Sequence, residues 1–95
     1  MITTKQRAKL RGYANSLEVI LQIGKSGVTS TVLKQVNDAL AARELVKGKV
    51  LDNSLLSARE VAVKLAEDAD AEIVQVIGSK FVLYKQKKKD AIYEI

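Results

Sequence analysis

At 95 residues, with 47% of them hydrophobic but only 4% aromatic, the chain reads as one domain built around an aliphatic core. The lack of any cysteine or histidine excludes disulfides, thiol chemistry, hydrolytic triads and the common zinc sites. The formal charge of +5 is unevenly spread, with six basic residues against one acidic over residues 1–34, five against eight over 35–78, and five against two over 79–95; a polyanion-binding face produces this pattern if folding joins the two ends.

Thr3 and Gln6 have capping-box spacing and predict a first helix from about Thr4. Leu10, Tyr13, Ala14 and Leu17 follow at helical spacing and form one apolar stripe. At about 100° per residue, Lys5 and Lys9 fall on one flank of it, and Arg7 and Arg11 on the other. On their own, these cations are equally a solvated helix face. Leu17 to Ile23 is rich in branched aliphatics and reads as the first strand.

That strand runs into Gly24-Lys25-Ser26-Gly27. Neither glycine carries a Cβ, so the backbone there turns sharply and a ligand can come close to it. The loop feeds a helix start, where free amides and the positive end of the helix dipole favour an anion such as phosphate. In an arbitrary α/β protein the same four residues form a plain tight turn. A triphosphate-binding P-loop is excluded, because Val19 stands where that motif needs a glycine.

Thr29 or Ser30 caps the second helix, whose buried face is Val32, Leu33, Val36, Ala39 and Leu40 and which ends near Arg43 or Glu44. Leu45 to Leu51 is the second strand, with Val46, Gly48 and Val50 on one side and Lys47 and Lys49 on the other. Gly48 marks either a bulge, a close approach to the backbone or a weak strand. Ser57 and Glu60 make a second capping box and open a third helix, buried along Ala58, Val61, Ala62, Leu65, Ala66 and Ala69. Ile73 to Ile77, apolar at nearly every position, reads as a central strand covered on both faces. Gly78-Ser79 turns it into Phe81 to Tyr84 as a hairpin, flanked by Lys80 and Lys85. Residues 87–95 form a basic tail that is either mobile or docked as an extra strand. The expected fold is an α/β two-layer sandwich (α+β) in the order α-β-α-β-α-β-β, with the helices on one face of a four-stranded mixed sheet.

Glu67, Asp68, Asp70 and Glu72 are the one dense carboxylate cluster, and around a helix end they point mostly apart, so solvated charge is favoured over a metal site. Ser26 and Ser57 have no base in view to activate them. No apolar run reaches the roughly 20 residues that span a bilayer, and residues 1–6 lack the core of a secretory signal. The chain therefore reads as a non-enzyme, with no metal or other cofactor, no membrane and no small-molecule substrate. Cations for phosphates are plentiful, while aromatics for stacked bases are few, which favours recognition of RNA by shape and backbone.

Taken together, Gln6-Arg7-Ala8-x-Leu10-Arg11, Ile23-Gly24-Lys25-Ser26-Gly27-Val28-Thr29, Glu44-Leu45-Val46-Lys47 and Val74-Gln75-Val76-Ile77-Gly78 with Val82-Leu83-Tyr84-Lys85 resemble the CRM (chloroplast RNA splicing and ribosome maturation) family in its stand-alone bacterial YhbY-like form. The resemblance covers about residues 2–86. It implies a fold similar to the C-terminal domain of translation initiation factor three, and a Gly-x-x-Gly loop that contributes to RNA binding. It also implies association with precursors of the large ribosomal subunit in bacteria; plant relatives take part in group II intron splicing. By position, the loop role falls on Gly24, Lys25, Ser26 and Gly27. Two departures stand out: Ser79, followed by Lys80, replaces an arginine common after the hairpin glycine, and Gly48 replaces an expected branched aliphatic.

The expectation is a CRM-like domain over residues 1–86 that binds large-subunit ribosomal RNA or a pre-ribosomal particle without catalysis. Lys5, Arg7, Lys9, Arg11, Lys80 and Lys85 supply charge around the loop, and the protein is expected to be a cytoplasmic, ribosome-associated monomer. The alternatives are a general RNA chaperone, a protein-interaction module using the acidic middle, and, more remotely, a nuclease using Glu67, Asp68 and Asp70.

Overall fold

Each helix begins at a hydroxyl side chain that accepts a free amide of the first turn. In the computed structural model, which describes residues 2–87 and 92–93, Thr3 caps α1 (Thr4–Ala14), Thr29 caps α2 (Ser30–Arg43) and Ser57 caps α3 (Ala58–Ala69). The Thr3–Gln6 and Ser57–Glu60 pairs close full capping boxes, and such a cap contributes about 1 kcal/mol. The Ser57 N–H donated to Glu60 holds that carboxyl below its ordinary range.

The strands are β1 (Leu21–Ile23), β2 (Leu45–Val50), β3 (Glu72–Ile77) and β4 (Lys80–Tyr84), arranged β1-β2-β4-β3. β1 runs parallel to β2 and the other pairs are antiparallel, so the sheet is mixed, as expected. Two strand expectations are corrected. The first strand starts at Leu21 rather than Leu17, because Ser16 and Leu17 still donate to the carbonyls of Tyr13 and Ala14 and prolong the end of α1. β3 is an edge strand, not a central one: the hairpin folds β4 back between β2 and β3, and β4 takes the inner place. Apolar content at consecutive positions of β3 reflects cover on its two faces, by α3 and by α1, rather than neighbours on its two edges.

Alternate residues along β2 and β4 enter two different cores. Val46, Val50, Phe81 and Leu83 meet Val36, Leu40, Val61 and Leu65 from α2 and α3. Leu45, Val82 and Tyr84 meet Leu10 and Ala14 from α1. The sandwich predicted from the sequence is thus made by α2 and α3 on one face, and α1 departs from the expectation of a single helical face by lying on the other. The physical cause is visible in Phe81-Val82-Leu83-Tyr84, a run apolar on both faces, which needs cover from both sides. Tyr13, expected in the inward stripe, is partly exposed and packs its ring 5.1 Å from that of Tyr93.

α1 crosses the sheet obliquely. Ile2 N–H donates to Glu72 Oε1 at 3.2 Å and Arg7 Nε to the Ile73 carbonyl at 3.1 Å, which ties its start to β3. At its other end Lys47 Nζ, on β2, lies 3.5 Å from the Ala14 carbonyl. The half of the sheet nearest the Gly78-Ser79 turn is left without a helix on this face.

Candidate nucleic-acid interface

Strand register determines what the uncovered half presents. The row beside α1 is Gln75, Val82 and Lys47, with Val82 buried against the helix, and the next, beyond the helix, is Ile77, Lys80, Lys49 and Gln22. Lys49 and Lys80 are direct cross-strand partners. Opposed like charges destabilise a sheet pair by up to about 1 kcal/mol, and neither row holds a carboxylate to offset them. An anion laid across this face removes that repulsion. α1, on the same face, adds Lys5, Arg7, Lys9 and Arg11 and no acidic residue. By contrast, α2 and α3 on the far face hold four basic and four acidic residues. Folding has therefore sorted the charge, which the sequence displays only as basic ends and an acidic middle.

The Gly24–Gly27 loop stands at the same end of the sheet as the hairpin turn, since Val50 donates to the Ser79 carbonyl and Leu51 to the Ile23 carbonyl. Gly27 N–H closes the turn on the Gly24 carbonyl at 3.0 Å. Its φ of 68° is the left-handed conformation that a Cβ disfavours. The amides of Lys25 and Ser26 have no partner among the described residues, and both side chains are exposed. α2 starts directly after, with no acidic residue in its first turn, so its positive end is not neutralised there. The loop rests on the β2–α3 connection, where Asn53 and Leu51 approach Gly24 and Leu56 approaches Gly27.

The other predicted residues separate into two groups. Lys80 lies in the lysine rows next to the turn, while Lys5, Lys9 and Arg11 are exposed on α1. Arg7 is half-buried and spends its Nε on the Ile73 carbonyl, and with Arg11 and Arg59 it lines a cleft along the β3 edge. Lys85 is at the opposite end of the sheet from the loop, where its Nζ donates to the Ala69 carbonyl at 2.9 Å and closes the end of α3. Lys47, Lys49 and Arg59 were not singled out from the sequence. The alternation Lys47-Gly48-Lys49 was the signal for the first two, because residues two apart in a strand share a face; nothing local pointed to Arg59.

The carboxylates do not converge. Asp68 pairs with Lys64 at 3.2 Å, Asp70 caps α3, and Glu72 accepts from Ile2. Among the described residues no three acidic side chains could hold a metal ion, and no helix is long and apolar enough to cross a membrane.

The chain is similar to known proteins over nearly its whole length. The chain is 41% identical to the Bacillus subtilis protein named Probable RNA-binding protein YqeI, over 100% of this chain and 99% of that one. It is 31% identical to a Haemophilus influenzae protein named RNA-binding protein, over 96% and 92% of the two chains. A solution structure from Staphylococcus aureus superposes with a TM-score of 0.84 at 41% identity, covering 100% of this chain and 99% of that one. The CRS1 / YhbY (CRM) domain model matches residues 2–85, and the chain belongs to that family.

Proposed function

We propose that this protein binds RNA without catalysis, through the Gly24–Gly27 loop and the basic face beside it, and that its target is ribosomal RNA in precursors of the large ribosomal subunit. The observation that carries the reading is the opposed Lys49–Lys80 pair in two sheet rows that hold no carboxylate. Lys25 and the free amides of the loop clamp phosphate groups at one end of this face. Lys5, Lys9 and Arg11 extend it along α1, and Arg7 with Arg59 borders it at the β3 edge. Lys85 acts on the fold rather than on the ligand. Residues 1–86 are the binding unit, and the names of the similar proteins, each called RNA-binding, support the choice of polyanion. The resemblance of the loop and hairpin motifs to the family supports the ribosomal target.

Lys25→Glu replaces a phosphate partner by a repelling charge on an exposed residue. It is expected to weaken binding to large-subunit ribosomal RNA about tenfold or more in a gel-shift series, with the melting temperature unchanged. Equal affinity for the two proteins rules the loop out. Crosslinking in cells followed by sequencing of the attached RNA tests the target itself.

A further inference from the structure

Where α1 ends, its C-cap Asn15 and these two rows of the sheet border a hollow of about 180 Å³, lined by Asn15, Lys47, Gln75, Ile77, Lys80 and Val82. At ~30 Å³ per water molecule it holds about six waters. That is well under the roughly 300 Å³ of a site for a drug-sized ligand, and suits a single ring system. Ile77 is 63% exposed on its wall, an apolar surface in a strand that no part of the described fold covers. Val82 forms the floor. The amides of Asn15 and Gln75 each offer one acceptor and a two-hydrogen donor, and no group among the described residues engages either. Two lysines stand on the rim, and no carboxylate does.

We propose that this hollow receives one unpaired nucleobase of the bound RNA. Its flat apolar face lies against the exposed Ile77 side chain, the Asn15 and Gln75 amides meet its donor and acceptor edge, and Lys47 and Lys80 hold the adjoining phosphates. The amide groups read base edges as they do in grooves, and the branched Ile77 side chain stands where an aromatic ring would otherwise stack. The inference rests on the RNA-binding reading and deepens it: the face recognises a duplex interrupted by an extruded base, not a uniform helix.

The test uses the full chain and two RNA hairpins, one fully paired and one identical except for a single bulged nucleotide. The wild-type protein is expected to bind the bulged hairpin about tenfold more tightly, the scale of one base contact. Ile77→Ala and Gln75→Ala, both outside the buried core, are each expected to remove most of that preference. Affinity for the paired hairpin and the salt dependence should stay as they were, since no cation is lost. Equal wild-type affinity for the two hairpins, or equal loss on both RNAs in the variants, overturns the base site and leaves the RNA-binding reading standing. No binding to either RNA overturns both.

Discussion

A Cβ at position 48 would lie 2.7 Å from Phe81 Cε2 and 2.8 Å from Cε1, closer than non-bonded carbons approach. The ring of Phe81, buried and directly across the strand pair, occupies the space that a side chain at Gly48 would need. The close approach that the sequence left open as one of several readings comes from inside the core, not from a ligand. Gly48→Ala is expected to destabilise the fold by about 1–3 kcal/mol, as overpacking does, in a urea or thermal melt. Combined with Phe81→Leu, the loss should be clearly less than the sum of the two single losses. Additive losses would show that ring and glycine do not interact. Tyr84, buried on the opposite face, has its phenol pushed up from its ordinary value by burial and then by the charge of Glu44.

At the level of elements, Glu44 does work that its place in the sequence hides. It ends α2 with φ 63° and ψ −48°, and its side chain is fully buried without a cation beside it among the described residues. The carboxylate instead accepts backbone N–H groups, from Ile92 at 2.8 Å, Tyr93 at 3.2 Å and Lys87 at 3.3 Å, while its carbonyl accepts from Lys85. One residue, through its carbonyl and its carboxylate, therefore joins the end of α2, the end of β4 and the chain beyond it; residues 88–91 and 94–95 lie outside the described structure. Glu44→Gln substitutes a donor for one acceptor oxygen and leaves amides unpaired. The expected cost is about 1–3 kcal/mol, with faster cleavage after residue 86 in limited proteolysis followed by mass spectrometry. Unchanged cleavage would mean that the carboxylate does not hold the tail. Helix starts were legible because capping is a local exchange of bonds within four residues. The short β1 and the edge position of β3 were not, because a strand's extent and neighbours depend on partners distant in sequence.

Across the whole molecule, charge is sorted by face. α1 and the lysine rows share one face, whereas Lys34 and Lys64 on the other pair with Asp38 and Asp68. Replacing Lys47, Lys49 and Lys80 together by Gln should reduce the slope of log affinity against log salt by about 2 to 3, at ~0.7–0.9 per phosphate contact. Lys34→Gln with Lys64→Gln should leave the slope unaltered. Equal effects from the two sets would show that net charge alone, and not the sorted face, drives binding.

From the sequence alone come the three helices and their caps, the hairpin, the glycine loop and the family likeness, all of which rest on bonds or patterns within a few residues. Tertiary structure decided the rest: α1 went to the second face of the sheet, β4 went between β2 and β3, and Lys47, Lys49 and Lys80 came together while Lys85 was carried to the far end. Those outcomes depend on which strand pairs with which and which face each helix covers, and both are settled by burying apolar surface contributed from all parts of the chain at once.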